Sequence, residues 1–214
     1  MVITSVSELA DKVAEQNKKH STSAVFTVAI SGIDASGKGY IARLLQQELE
    51  KRNYKVTNIN IDPWQNPIPI RLGKENAAEN VYENIFRWND FFEQLIFPLQ
   101  QNKSIYLETK GIHSDADIYY PLIYDHKNIE ILLIEGILLF KKKHLSYYDY
   151  KIWIDCSFET GLQRAINRNV EKLDEARLIH DYHTFYYPAQ RLHFEKDNPV
   201  AAADIIFDNN NQLI

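Results

Sequence analysis

The chain of 214 residues has one cysteine, Cys156, and no apolar stretch long enough to cross a bilayer. A single cysteine excludes an intramolecular disulfide, and a membrane-spanning helix needs about 20 consecutive apolar residues. The opening segment, MVITSVSELADK, also lacks the apolar centre of a secretory signal. We therefore expect a cytoplasmic protein with no membrane partner.

Positive charge and metal-binding motifs are also scarce. The 24 lysines and arginines are outnumbered by 29 acidic residues, and the net charge of -5 argues against broad attraction to nucleic acid. The seven histidines show no H-E-x-x-H spacing, and there is no C-x-x-C pair, which disfavours a zinc site. We therefore expect a small-molecule partner held at a local site, and the composition is compatible with a homo-oligomer.

What the chain does contain is a phosphate-binding loop. Residues 26–40, FTVAISGIDASGKGY, place an apolar strand before a glycine, four spacers and a Gly-Lys pair, and a helical segment follows. Glycines let the backbone curl around a polyphosphate, so that N–H groups and a helix N-terminus point at the anion while Lys38 supplies charge. The alternative interpretation is a tight structural turn. The predicted nucleotide-binding residues are Gly32, Asp34, Ala35, Ser36, Gly37, Lys38, Gly39 and Tyr40.

One position departs from the phosphate-binding pattern. A serine or threonine normally follows the lysine as a Mg²⁺ ligand, but here Gly39 does, and Tyr40 cannot replace the hydroxyl without rearrangement. Because Mg²⁺ commonly keeps several waters, we expect Gly39 to weaken metal affinity without abolishing turnover. The alternative is a nucleotide-binding regulatory protein with little activity of its own.

Hydrophobic periodicity predicts strands that alternate with helices along a single domain, residues 1–214. Such alternation favours a three-layer α/β/α fold with a parallel sheet, in which ligands bind at the carboxyl ends of the strands. The predicted strands cover residues 24–31, 55–61, 104–108, 131–134, 151–155 and 203–207. The predicted helices cover residues 5–19, 38–52 and 79–97, the last ended by Pro98, and two more begin at Ser157 and Asp174.

Two acidic residues follow predicted strands. Asp62 ends the second strand, where its carboxylate can accept a proton from a substrate hydroxyl; the alternative is a turn former before Pro63. Glu135 follows the apolar strand 131–134, a position suited to holding Mg²⁺ or its water; the alternative is a carboxylate that faces solvent.

Two arginines, Arg164 and Arg168, are one helical turn apart on a predicted amphipathic helix. Both guanidinium groups can therefore reach the same anion and stabilise a transferring phosphoryl group. Exposed arginines on such a helix are also common without any function.

Several segments together resemble the uridine kinase and phosphoribulokinase family, over nearly the whole chain. They are SGIDASGKGY, INIDPW, LLIEGILLF, RAINR, TFYYPAQRLHF and ADIIFDN. The resemblance implies a P-loop kinase fold with a five-stranded parallel sheet in the order 2-3-1-4-5. It also implies that ATP, with Mg²⁺, donates its γ-phosphoryl group to a small-molecule alcohol.

The resemblance also implies roles for individual residues. Lys38 matches the phosphate-binding lysine, Asp62 the general base and Glu135 the acidic residue of the Mg²⁺ site. Arg164 and Arg168 match the arginines of a lid, here a segment of about residues 160–180. A thymidylate kinase group also favours an aspartate in the loop, but its DRY-type signature is absent.

The acceptor implied by the resemblance is a nucleoside such as uridine or cytidine. Tyr124 and His126 in PLIYDHK match a stretch near the nucleoside, and Trp64 and Asp62 are expected to line the same site. Only 11 positions separate Tyr124 from Glu135, which is short for a segment that reads uracil and ribose. Pantothenate, a sugar or a sugar phosphate therefore stay as alternatives.

Overall fold

The computed structural model describes residues 1–20, 23–73, 75–113, 116–169 and 174–210. None of the helices in these ranges has the length and apolar character that crossing a membrane requires. The strands are β1 (Val2–Ile3), β2 (Phe26–Gly32), β3 (Val56–Asn60), β4 (Ile105–Ile112), β5 (Tyr119–His126), β6 (Ile131–Gly136), β7 (Tyr150–Asp155) and β8 (Ile205–Asp208).

Helices of different types connect the strands. The α-helices are α1 (Val6–Lys19), α2 (Lys38–Lys51), α3 (Ile68–Arg71), α4 (Ala77–Asn84), α5 (Trp88–Asp90), α6 (Phe97–Asn102), α7 (Phe158–Arg168), α8 (Glu175–Asp181), α9 (Tyr187–Asp197) and α10 (Pro199–Ala202). The segments Asp62–Trp64 and Lys142–Tyr147 are 3₁₀-helical, and Phe91–Ile96 and Tyr182–Tyr186 are π-helical.

The main sheet is parallel and has the order β1-β8-β7-β2-β6-β3. When the short edge strand β1 is left out, the other five strands, numbered in chain order from β2, follow the order 2-3-1-4-5, so the implied topology is confirmed. The expected strand number is wrong by one, because Val2 and Ile3 pair with Ile206 and Phe207 at the outer edge of β8. Because β1 has only two residues, the sequence contains no strand pattern that predicts it.

Both faces of the sheet are covered, which gives the three layers that the sequence predicts. On one face α1 and α2 pack leucine, isoleucine and valine side chains against β2 and β6. The other face carries a larger cluster rich in aromatic residues, including Trp64, Phe91 and Phe140. Ser5, Ser157 and Asp174 cap α1, α7 and α8 as their sequence positions predict.

The predicted continuous helix at 79–97 is wrong in two respects. It is broken between α4 and α5, where Phe86 forms a bridge with Gln65 and the Arg87 N–H donates to Trp64 O at 2.8 Å. The second part also runs beyond Pro98 to the end of α6. Pro98 lies in the first turn of α6, directly after a π-helical segment, where its missing N–H is accommodated.

A hairpin of β4 and β5 lies outside the main sheet. Its strands are antiparallel, with Leu107 opposite Tyr124, and the prediction at 104–108 covers only the first half of β4. No strand was predicted for β5, since Pro121 and Asp125 interrupt its apolar pattern, although Tyr120, Leu122 and Tyr124 alternate toward the protein.

The hairpin is attached to the end of β3 by a buried hydrogen bond. Trp64 Nε1 donates to the Tyr124 hydroxyl at 2.9 Å, and the two rings stack with their centroids 6.3 Å apart. Trp64 is fully buried, and the Arg87 guanidinium lies 5.1 Å from the centre of its ring. The segment that carries Asp62 is therefore fixed against the hairpin.

Tyr124→Phe removes the acceptor of this hydrogen bond and leaves the Trp64 N–H buried without a partner. We expect the free energy of unfolding to fall by about 1–2 kcal/mol in urea denaturation. Tyr106→Phe is the matched control, because Tyr106 is 65% exposed and its hydroxyl bonds to the neighbouring Glu108. The control should change stability by less than about 0.5 kcal/mol, and equal losses would contradict the assignment.

Candidate active site

The phosphate-binding loop joins the buried strand β2 to α2, and its shape depends on two glycines. Gly37 has a φ of 89°, in the left-handed region that favours glycine. A Cβ on Gly32 would lie 2.6 Å from Ser36 Oγ and 2.7 Å from Ile154 O, so a larger residue would collide with the sheet and the loop. The backbone therefore turns back on itself directly after β2.

The N-terminus of α2 presents a site for an anion. Its first turn contains no acidic residue, and Gly37 offers no side-chain cap. The first N–H groups of a helix lack partners within the helix, and the helix dipole favours negative charge there. Lys38 begins this helix, is only 8% exposed, and acts electrostatically on both Asp62 and Glu135.

The amides earlier in the loop are bonded within the protein. The Asp34 N–H donates to Gln190 Oε1 at 2.9 Å, the Ala35 N–H to Asp34 Oδ1 at 2.8 Å, and the Ser36 N–H to Ile33 O at 3.1 Å. Ala35 also has a positive φ of 54°. These three residues therefore shape the loop, and the amides at the start of α2 are the ones best placed to meet a phosphate.

Two residues that the sequence reasoning missed hold the loop from the other end of the chain. Asn209, fully buried after β8, donates from Nδ2 to Ser36 O at 2.7 Å. Gln190 on α9 is 3% exposed and accepts the Asp34 N–H. Asn209 closes the ADIIFDN segment used for the family resemblance, so a signal existed for it, whereas nothing in the local sequence distinguishes Gln190.

The arginine pair on α7 is divided between two locations. Arg164 donates to Asn209 O at 2.7 Å and to Ser36 O at 3.4 Å, so it supports the loop backbone. Arg168 is exposed and its charge lowers the pKa of Asp62, which places it on the acceptor side. Part of the expected lid, residues 170–173, lies outside the described residues, and the lid stays a prediction.

Asp62 lies directly after β3, at the start of a 3₁₀ turn, with its N–H donating to Asn60 Oδ1 at 2.6 Å. Asp62 is exposed to solvent, but the protein packed around it still raises the pKa of its carboxyl. Lys38 opposes this effect most strongly, and the negative charge of Asp34 adds to it. A carboxylate with a raised pKa is a better proton acceptor for a hydroxyl.

Glu135 is the more deeply buried of the two carboxylates. It lies on β6 between β2 and β3, opposite Ile30 and Asn60, and is 6% exposed. Burial raises the pKa of Glu135 to about 7, Lys38 opposes this rise, and Asp62 reinforces it. A cation bound beside Glu135 would therefore stabilise the ionised form of this buried carboxyl.

Gly39 and Tyr40, the two residues after Lys38, have different surroundings. A Cβ on Gly39 would lie 3.3 Å from Glu135 Oε1, so this residue faces the buried carboxylate. Tyr40 is 37% exposed, and its ring lies 5.3 Å from the Arg43 guanidinium. The two residues therefore contribute to different sides of the helix start.

The charges of the site fit a magnesium nucleotide. Within the described ranges, no three His, Cys, Asp or Glu side chains are grouped so that they could hold a metal ion by themselves. Mg²⁺ in such sites usually binds through one or two carboxylates together with substrate phosphates. Glu135 can provide the carboxylate, and the N-terminus of α2 with Lys38 can provide the phosphate site.

The other predicted substrate residues lie further from the reacting groups. Trp64 and Tyr124 are bonded to each other, with Trp64 fully buried and Tyr124 8% exposed. His126 is half-buried with Nδ1 3.3 Å from Thr57 Oγ1, well before the carboxyl end of β3, and burial lowers its pKa. Asp62 is therefore the one exposed residue among the four predicted substrate residues.

Comparisons with known proteins find similarity in structure and none in sequence. No sequence family and no curated protein matches it. A possible uridine kinase from Bacillus stearothermophilus aligns with a TM-score of 0.70 and 21% identity, over 94% of this chain and 100% of that one. A candidate fructose transport system kinase from a Silicibacter species aligns with a TM-score of 0.76 and 15% identity, over 95% and 99%.

The structural similarity extends to a third solved structure. D-glycerate 3-kinase from Cryptococcus neoformans aligns with a TM-score of 0.65 and 10% identity, over 87% of each chain. The chain therefore has the three-layer fold of P-loop kinases. The similarity to a possible uridine kinase, first indicated by sequence motifs, is thus also present in the fold.

Asn209→Asp tests the support of the loop. It keeps the side-chain shape but replaces the N–H donor by an oxygen facing Ser36 O, so we expect the Kd for ADP to rise roughly tenfold in calorimetry. Asn210→Asp is the control, since it adds the same charge one residue on but bonds to Ser157 and Asp208 instead. Equal weakening in both variants would attribute the effect to charge alone.

Glu135→Gln tests the electrostatic cost of the buried carboxylate without nucleotide. A pKa raised from 4.5 to about 7 favours the folded state while Glu135 holds its proton, and this contribution is lost as pH rises through 7. We therefore expect the free energy of unfolding of the variant, relative to that of the natural protein, to rise by roughly 1–3 kcal/mol from pH 5 to pH 8. Chemical denaturation at both pH values measures this gain, and a constant difference would contradict the raised pKa.

Proposed function

We propose that this protein is an ATP-dependent kinase that transfers the γ-phosphoryl group to a hydroxyl of a small-molecule alcohol. The proposal rests on one observation. Lys38, Asp62 and Glu135 lie near the carboxyl ends of the strands, where their charges act on one another. In-line phosphoryl transfer depends mainly on positioning and charge neutralisation. This set of residues is suited to both tasks.

The chemistry assigns a different task to each residue. The start of α2 and Lys38 bind the phosphates, and Arg168 offsets charge on the transferring group. Asp62 orients the acceptor hydroxyl and takes its proton as the oxygen bonds to phosphorus and the bond to ADP breaks. When bound, Mg²⁺ would neutralise phosphate charge, with Glu135 as its protein carboxylate. Arg164, Gln190 and Asn209 keep the loop in shape.

The first acceptors to consider are nucleosides such as uridine and cytidine. The PLIYDHK segment lies on β5, and its Tyr124 contacts Trp64, two residues after Asp62. Because this contact is buried, Tyr124 and Trp64 support the acceptor site from beneath and do not present an exposed ring to the acceptor. Pantothenate, sugars and sugar phosphates therefore belong in the same screen, with MgATP as donor and ADP release as the readout.

A nucleotide-binding regulatory protein is the second candidate. The observation that favours it is Gly39, which removes the hydroxyl ligand expected after Lys38. Tight ADP and ATP binding without acceptor-dependent ADP release would support this candidate. Release that depends on one of the alcohols would support the kinase.

Asp62→Asn should remove the proton acceptor and leave the phosphate site in place. With the best acceptor of the screen, we expect kcat to fall at least about 100-fold, while the Kd for ADP changes less than about threefold. Steady-state ADP release and calorimetry measure the two quantities.

The matched control is Asp125→Asn, because Asp125 lies on the outer face of the hairpin in a surface ion pair with Lys127. It should leave both quantities unchanged. Full turnover in the Asp62 variant would eliminate the base assignment.

A further inference from the structure

The outer face of the β4–β5 hairpin carries large apolar side chains that are open to solvent. Tyr106 on β4 is exposed, and so are Tyr119 and Ile123 on β5. Ile118, directly before β5, is exposed as well. In the described part of the chain, the other exposed large apolar residues lie at the N-terminus, at the start of α2 and in α3. Exposed apolar residues grouped on one face indicate contact with another molecule.

Two opposite charges lie in the middle of the same face. Glu108 and Lys110 are both exposed and are two positions apart on β4, so their side chains point to the same side of the hairpin. Glu108 accepts a hydrogen bond from the Tyr106 hydroxyl, and the backbone carbonyl of Lys110 accepts one from Arg87. Neither charged side chain has an ion-pair partner in the ranges that the structure describes. Both charges are therefore available to a partner.

The register of the hairpin places an apolar residue beside each of these charges. Glu108 lies opposite Ile123 on β5, and Lys110 lies opposite Pro121. The face thus has two neighbouring rows, one of a negative and an apolar residue and the next of a positive and an apolar residue.

This pattern is complementary to a second copy of itself. Consider two copies that meet face to face about a two-fold axis that runs across the strands, between the two rows. The strand direction then reverses, so that Glu108 faces Lys110 of the second copy and Ile123 faces its Pro121. A two-fold axis parallel to the strands would instead place each charge opposite an apolar residue of β5. The distribution of charge therefore selects the first arrangement.

We propose that two copies of this chain associate through the outer faces of their hairpins, with Glu108 of each copy paired to Lys110 of the other. The two-fold axis repeats this pair, so one dimer contains two such ion pairs beside a contact between Ile123 and Pro121. The inference does not depend on the proposed function, because it uses no residue of the candidate active site.

The size of the face sets the expected strength of the dimer. Eight residues at about 3.4 Å each give a strand about 27 Å long, and two strands make a small interface. We therefore expect a Kd in the micromolar range, measured by sedimentation velocity of the full chain from about 1 to 500 µM. The natural protein should shift from monomer to dimer as its concentration rises.

Reversal of either charge should weaken the dimer. Glu108→Lys and Lys110→Glu each place like charges opposite one another twice in the contact, so we expect the dimer Kd to rise at least about tenfold in each variant. Lys51→Glu is the control, because Lys51 is an exposed lysine on α2 that pairs with Glu48. This change should leave the dimer Kd within about twofold.

Exchange of the charges separates this pairing from a general effect of surface charge. An equal mixture of the two single variants brings two lysines of one copy against two glutamates of the other. The mixture should therefore form a heterodimer with a Kd within about threefold of that of the natural protein. The chain that carries both Glu108→Lys and Lys110→Glu should dimerise for the same reason, with no change in net charge.

Three results would overturn the proposal. The first is a natural protein that stays monomeric over the whole concentration range. The second is a dimer that neither charge reversal weakens, which would place the contact on another face. The third is a mixture of the two single variants that associates no more tightly than each variant alone. Recovery in the mixture also shows that the single variants are folded.

Discussion

The carbonyl oxygen of Ser36 is the point on which the geometry of this site depends. Asn209 and Arg164 both donate to it, and they come from the end of β8 and from α7. Gln190 fixes the preceding turn from α9. A loop with two glycines has many accessible shapes, and these contacts select one of them before any nucleotide arrives. The predicted phosphate site is thus shaped by residues from α7, from α9 and from the end of β8.

Charge is the second organising constraint. Lys38, Asp62 and Glu135 lie at one edge of a parallel sheet because the strands and the helix that carry them all end or begin there. Burial raises the pKa of Glu135, the protein packed around the exposed Asp62 raises the pKa of that carboxyl, and Lys38 opposes both rises. The two carboxylates are therefore held at an electrostatic cost. A bound cation would offset their negative charge, and a bound phosphate would offset the positive charge of Lys38. Preorganisation of this kind suits transfer between charged groups.

Much of this could be predicted from sequence, since the relevant signals are local. The glycine loop, the strand that ends at Asp62 and the apolar run before Glu135 each lie within a few consecutive residues. The order of the sheet followed from family resemblance, and the structure of this chain has that order. The location of each carboxylate then followed from the rule that ligands meet the carboxyl ends of strands.

Features set by tertiary contact could not be predicted in this way. The break before Trp88 arises from a bridge between Phe86 and Gln65, which no helical period reveals. Gln190 acts through a partner 156 positions away in the chain. Arg164 and Arg168 look equivalent in sequence, and only the packing of α7 against the loop separates their tasks.

The pairing of the loop with Asn209 has a consequence for biosynthesis. The two residues are 173 positions apart, so during translation the hydrogen bond from Asn209 to Ser36 O forms only after the segment that follows β8 has been made. β8 in turn is flanked by β7 and by the short β1 made at the very start. A nascent chain can form much of its central sheet early, yet the loop between β2 and α2 gains all of these contacts only once Asn209 has left the ribosome.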